Sequence, residues 1–144
     1  MYYCINRLVQ QYNNTKGGGI MIWKLTDDRP IWIQLVDQLT LRIVSGVYAS
    51  GAAVPTVRAL AGEAGVNPNT MQRALAELES RGLVETRRTA GRLVTEDLSL
   101  IRSVREELAY GRMEEFLASM RALGYTDEQT RQLLAAWDKK EEHL

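Results

Sequence analysis

Apolar residues recur at intervals of three and four over three segments between Pro30 and Gly82, a spacing typical of amphipathic helices. The first segment follows capping residues at positions 26–29 and a proline, Pro30, suited to a helix start, and it ends at Gly46. Its apolar stripe consists of Trp32, Leu35, Val36, Leu39, Ile43 and Val47. This pattern predicts a helix that buries one side.

The next two segments are short and lie close together. Thr56 is a suitable N-cap for one helix, which Gly65 ends, and Asn67 with Pro68 begins the other, which stops at Gly82. Their inward faces are predicted to be Leu60, Ala61 and Ala64 in one, and Met71, Ala74, Leu75 and Leu78 in the other. Two short helices joined by a turn that holds a glycine predict a helix-turn-helix.

Two runs with strand composition follow at 83–87 and 92–95, separated by Arg88-Thr89-Ala90-Gly91. They predict a hairpin, which makes the helix-turn-helix a winged one. The predicted fold class is therefore mostly α with a small β-hairpin wing, and residues 21–95 form a DNA-binding domain. Residues 96–144 form a helical dimerisation domain.

The tail is predicted to be two helices. A long one begins at Asp97 and ends at Gly124, and Gly111 is a potential kink within it. Thr126 and Gln129 form a capping box before the last helix. Two helices cannot bury this many large apolar side chains against each other alone. Some can pack on the first domain, but a symmetric interface between two chains is favoured, with Leu98, Ile101, Leu108, Phe116, Met120, Leu133 and Trp137 as its residues.

Residues 1–20 show no regular period, and Lys16-Gly17-Gly18-Gly19 is a flexible break. One interpretation is a disordered leader or an arm that packs elsewhere. The other is that the natural start is Met21, because Lys-Gly-Gly can be encoded by a bacterial ribosome-binding sequence a few codons upstream of it.

Charge is balanced over the whole chain, with 18 basic and 18 acidic residues, but it is unevenly placed. Residues 30–95 hold seven arginines against five acidic residues, and residues 96–144 hold eleven acidic against seven basic ones. A basic middle and an acidic tail fit a DNA-binding half and a protein-facing half. A single cysteine (Cys4) and a single histidine (His143) leave no disulfide or zinc set, so neither a metal nor a cofactor is expected. The sequence shows no membrane span or signal peptide, so a cytoplasmic protein is expected.

The outward face of the third helix carries the candidate chemistry. Arg73 can pair with guanine and Gln72 with adenine, whereas Asn69 and Thr70 can bond phosphates beside the helix N-terminus. Arg58 on the preceding helix can hold a phosphate; the alternative is a salt bridge to Glu63 or to a carboxylate of the next helix. For the helix face as a whole, the alternative is an ordinary solvated surface. Arginines 87, 88 and 92 of the wing are either DNA contacts or a solubilising edge.

Three stretches of the chain resemble the GntR family of bacterial regulators. They are PIWIQL, VPTVRALAGEAGVNPNTMQRALAELESRGLVETR and AGRLVT. The resemblance implies DNA contacts at Thr56, Arg58, Asn67, Asn69, Thr70, Gln72 and Arg73, with wing contacts near Arg88. Thr56 replaces the usual serine and keeps the hydroxyl. Thr89 stands where the family usually has the first glycine of Gly-x-Gly, which argues against a deep insertion of the wing.

The short tail resembles that of the YtrA subfamily, whose members dimerise through such helices. The resemblance implies a homodimeric repressor of a nearby transporter operon that binds an inverted repeat in double-stranded DNA. No catalytic set is present, so an enzyme is not expected, and the effector is not indicated. The alternative function is a winged-helix module that binds protein instead of DNA.

Overall fold

The computed structural model describes residues 22–141, which divide after Asp97 into two compact units. The sequence places this boundary after Thr95. The leader predicted at residues 1–20 lies outside the described residues, and so does His143.

Between residues 22 and 97, the described part of the first unit contains three helices and a two-stranded sheet. The helices are α1 (Ile31–Val44), α2 (Val57–Ala64) and α3 (Pro68–Ser80), and the strands are β1 (Val84–Arg87) and β2 (Gly91–Val94). The strands are antiparallel, with Val84 opposite Val94 and Arg87 opposite Gly91. Helix α3 contacts α1, α2 and β1, so it lies at the centre of the unit. This is the predicted winged helix-turn-helix.

The turns and caps of the helix-turn-helix follow the sequence signals. The Thr56 hydroxyl oxygen accepts a hydrogen bond from the Ala59 amide at 3.2 Å, and Asn67 Oδ1 accepts one from the Asn69 amide at 2.8 Å. Gly65 has a φ of 67°, a left-handed conformation that a residue with a side chain rarely adopts. The hydrogen bonds of Thr56 and Asn67 each satisfy an amide that a helix start leaves without an intrahelical partner. Thr56 and Asn67 therefore fix where α2 and α3 begin.

The sequence-based interpretation of α1 is wrong about the capping residues and about Val47, whereas Gly46, with a φ of 82°, lies in the turn that ends the helix, as expected. Pro30 occupies the N-cap position and no side chain caps the helix, so residues 26–29 do not act as caps. The helix stops at Val44, and Val47 lies beyond it with half of its surface exposed. The inward face therefore ends with Ile43 and Val44.

A buried side chain, Gln34, holds the chain segment that enters α1. Its Nε2 donates to the carbonyls of Thr26 and Arg29, both at 2.8 Å, and its Oε1 accepts from the Thr26 amide at 2.8 Å. Gln38 holds Lys24 in the same way, through the Lys24 amide and carbonyl. Amide side chains on α1 thus anchor the segment that precedes the helix.

Replacing Gln34 by Glu is expected to lower the free energy of unfolding by about 1–3 kcal/mol, because a carboxylate cannot donate to the two carbonyls and leaves them without partners. Thermal unfolding followed by circular dichroism measures this loss. The matched control is Gln72→Glu, an exposed glutamine, which should leave the melting temperature unchanged. Equal melting temperatures for Gln34→Glu and the wild type would contradict this role for Gln34.

The second unit consists of α4 (Leu98–Ala122) and α5 (Asp127–Glu141). The predicted capping box is present, since Gln129 Oε1 accepts from the Thr126 amide at 2.9 Å and the Thr126 hydroxyl accepts from the Gln129 amide at 3.1 Å. Arg121 bonds both carboxylate oxygens of Asp127 at 2.8 Å. Helix α4 runs through Gly111 without interruption. No helix in the described residues is long and apolar enough to cross a membrane.

Candidate nucleic-acid interface

Helix α3 presents two distinct faces. Its inward side chains, Met71, Ala74, Leu75 and Leu78, are essentially inaccessible to solvent, as the periodicity predicts. The opposite face is exposed and carries Asn69, Gln72, Arg73, Ala76 and Ser80. A helix with one buried and one polar, accessible face is the element that helix-turn-helix proteins place in a major groove.

The starts of α2 and α3 carry the remaining predicted contacts of the helix-turn-helix. Thr56 and Asn67 each use a side-chain oxygen to accept the cap hydrogen bond. The hydroxyl hydrogen of Thr56 and the side-chain NH₂ group of Asn67 can therefore donate to another molecule. Asn69 is exposed and Thr70 is half-buried in the first turn of α3. Donors at a helix N-terminus, where the helix dipole is positive, suit a phosphate.

The arginines of the first unit fall into separate groups. Arg29, Arg81 and Arg87 each form an ion pair, with Asp37, Glu77 and Glu85 respectively. Arg42 is buried. In contrast, Arg58, Arg73 and Arg88 are exposed and have no hydrogen bond or ion pair with any residue of the described part of the chain. The suggested salt bridge of Arg58 to Glu63 is therefore wrong; Glu63 instead accepts from Trp23 Nε1 at 3.4 Å.

Two aromatic contacts were not predicted from the sequence. The Arg73 guanidinium lies over the ring of Trp32, with its carbon 4.1 Å from the ring centroid, and the Arg42 guanidinium lies over Trp23 at 3.8 Å. Each contact joins residues far apart in sequence, so no local spacing signals it. The only signal in the sequence was that the first unit contains both tryptophan and arginine, and this does not indicate which residues meet.

The wing is joined to α3 through Glu79, which accepts a hydrogen bond from the Thr86 amide at 3.1 Å. Hydrogen bonding by the Thr86 side chain, and then by its backbone, lowers the pKa of the Glu79 carboxyl below its usual value. Arg88 lies exposed in the turn between the strands. Arg92 is half-buried on β2, and its Nε has no hydrogen-bond partner in the described structure. Of the wing arginines, Arg88 is thus the one that is both exposed and unpaired.

Comparison with known proteins identifies this arrangement. Residues 33–94 match the model of the bacterial regulatory proteins of the gntR family. The HTH-type transcriptional regulator YhcF of Bacillus subtilis is 37% identical over 101 residues, which cover 70% of this chain and 84% of YhcF. The chain belongs to the GntR family. It is a transcription regulator with a DNA-binding domain, and the comparisons give no support to the protein-binding alternative.

Structural similarity covers more of this GntR regulator than its first unit. A GntR family transcriptional regulator from Listeria monocytogenes has 37% sequence identity and a TM-score of 0.70, over 81% of this chain and 98% of the Listeria chain. The transcriptional repressor YtrA of Bacillus subtilis is 37% identical over 68 residues, which span about half of each protein (47% of this chain and 52% of YtrA).

The second unit of the GntR regulator leaves most of its large apolar side chains accessible. Of the predicted interface residues, Leu98 and Trp137 are more than 60% exposed, and Leu108, Phe116 and Leu133 are about 40% exposed (38%, 40% and 43%). Met120 is half-buried. Ile101 is only 5% exposed, so it has little surface left to bury against a second chain. An apolar groove of about 210 Å³ lies between α4 and α5, lined by Phe116, Met120, Thr130, Leu133, Leu134 and Trp137.

Proposed function

We propose that this GntR regulator is a homodimeric repressor that binds an inverted-repeat operator in double-stranded DNA. The DNA contacts are assigned chiefly from three arginines that are exposed and not paired with a carboxylate. Arg58, Arg73 and Arg88 lie on α2, α3 and the wing, and they are exposed without a carboxylate partner. Guanidinium groups left free in this way can neutralise phosphates or pair with guanine.

The proposed contacts divide by position. Gln72 and Arg73 lie one turn into α3 on its exposed face, where side chains reach base edges. The DNA backbone is bound by the residues around the starts of α2 and α3, namely Thr56, Arg58, Asn67, Asn69 and Thr70. Arg88 extends the contact from the wing, and Thr89 in its turn favours a shallow position over a deep insertion.

The exposed apolar stripe supports the proposed dimer. Large apolar side chains on α4 and α5, among them Leu98, Leu108, Met113, Phe116, Leu133, Leu134 and Trp137, are 38% or more exposed in the single chain. An exposed apolar surface of this kind marks a protein interface, and a second copy covers it symmetrically. Two-fold symmetry then requires two half-sites in opposite orientation.

We place the chain in a YtrA-like group that represses a nearby transporter operon, with no catalytic activity and no cofactor. A DNA-binding regulator of this family acts in the bacterial cytoplasm, where the chromosome lies. The groove between α4 and α5 is smaller than the roughly 300–1,000 Å³ of ordinary small-molecule sites, so we place no effector site within the tail of one chain.

Arg58→Ala tests the proposed backbone contact. We expect it to weaken binding to all duplexes alike and to reduce the slope of log affinity against log salt by about one unit per contact, because one phosphate contact is lost. The probe is a consensus duplex that the wild-type protein selects from random-sequence double-stranded DNA, together with a scrambled version, each titrated at several salt concentrations.

The matched control is Arg81→Ala, which removes an arginine that is ion-paired to Glu77 and should leave both affinities and the salt slope unchanged. If Arg58→Ala behaves like this control, the backbone contact is absent. If the wild-type protein selects no sequence and binds no duplex, the proposed function itself is wrong.

A further inference from the structure

The proposed function leaves unexplained one contact in the first unit, that of the Arg73 guanidinium with the ring of Trp32. Arg73 projects from the exposed face of α3, and Trp32 is half-buried on α1. The guanidinium carbon lies 4.1 Å from the centre of the indole ring, within the range of a cation–π interaction. The contact therefore joins the proposed base-reading side chain to a different helix.

Stacking restrains an arginine without using its hydrogen-bond donors. A guanidinium has five N–H groups in its plane, and an aromatic ring covers only its face. Arg73 has no hydrogen bond or ion pair with any residue described in the structure, so its whole donor edge stays free. A long side chain normally loses rotamer entropy on binding, and the ring reduces that loss before DNA arrives.

The second arginine–tryptophan pair in the same unit shows what a purely structural contact looks like. Arg42 is 3% exposed, lies over Trp23 and donates from Nη1 to the Gln38 carbonyl at 3.1 Å. Burial lowers the pKa of its guanidinium from the usual value. Arg42 is thus enclosed by protein and its donors are in use, whereas Arg73 is exposed and its donors are free.

We infer that Trp32 is a positioning residue for base recognition: its ring holds Arg73 so that the free guanidinium edge is ready to pair with a base. This inference rests on the proposed function, since it requires that Arg73 reads DNA. It assigns a role in specificity to a residue on α1 that needs no contact with DNA.

The test compares Trp32→Leu, which removes the aromatic face, with Trp32→Phe, which keeps it. The probes are the wild-type consensus duplex and duplexes with single base-pair changes in it. We expect Trp32→Leu to weaken consensus binding by about 2- to 5-fold for each half-site and to relax preference at the same base pair as Arg73→Ala. Trp32→Phe should restore that preference. In an Arg73→Ala background, Trp32→Leu should cause no further loss.

Gln34→Glu is the control for general destabilisation, because it weakens the anchoring of α1 without touching Arg73. It should lower the melting temperature and leave base preference unchanged. The inference is overturned if Trp32→Leu weakens all duplexes equally, if it has the same effect with and without Arg73, or if it has none while Arg73→Ala relaxes preference. If Arg73→Ala itself leaves preference intact while the wild type remains selective, the base-reading assignment fails and the inference with it.

Discussion

A double change of Leu108→Asp and Phe116→Asp is expected to convert the proposed dimer into monomers and to weaken binding to the proposed operator by about 100- to 10,000-fold. Both side chains are about 40% exposed on α4 (38% and 40%) in the single chain, so the isolated unit can accept charge there. A dimer interface cannot, because it would bury unpaired carboxylates. Once the chains separate, the second half-site is no longer bound at high effective concentration, which accounts for the size of the loss.

Sedimentation of the variant and titration of the consensus duplex measure the two effects. The matched control is Ser103→Asp, an exposed residue on the opposite side of α4 by the helical period, which should leave both unchanged. Circular dichroism of the double variant should keep the helical signal of the wild type. A dimer that persists in the double variant would place the interface elsewhere on the chain.

The second large effect is expected from Arg73→Ala. A bidentate pair between arginine and guanine O6 and N7 is worth about 1–3 kcal/mol of discrimination, and a symmetric dimer loses it at both half-sites. We expect consensus binding to fall by that amount per half-site, and preference at one base pair of each half-site to disappear. Binding to scrambled DNA should fall much less, because a base contact contributes little there.

Titrations on the consensus duplex, on its single base-pair variants and on scrambled DNA separate these expectations. Arg81→Ala serves again as the control, since it removes an ion-paired arginine of the same helix-turn-helix. Equal losses on consensus and scrambled DNA would show that Arg73 contacts the backbone and not a base.

The features that the sequence predicted well are those whose cause is local. Thr56, Asn67 and the Thr126–Gln129 box each bond amides within three residues, and Gly65 marks a left-handed turn by its own conformational freedom. The exposed face of α3 follows from period alone, because the core removes every residue of the opposite face from solvent. Such signals are complete within a few positions of the chain.

The features that the sequence missed depend on contacts beyond a helical turn or on the exact end of a helix. Gln34 bonds carbonyls five and eight positions upstream, and its place in an apolar helix face gave no indication of that role. Trp32 was assigned to an apolar stripe, but its ring also receives a guanidinium from α3. Val47 was assigned to α1 because it continues the period, although the helix had already ended at Val44. Periodicity predicts which face of a helix is buried, but it does not predict which residues that face contacts.

In the proposed homodimeric repressor, the exposed apolar stripe of α4 and α5 also makes repression depend on gene dosage. Two chains must meet before that stripe is covered, so the amount of DNA-binding species follows the square of the chain concentration while monomers predominate. A twofold fall in the level of the protein then lowers the dimer by about fourfold. The response of the regulated genes to the amount of their regulator is thereby steeper than one-to-one, without any small molecule being involved.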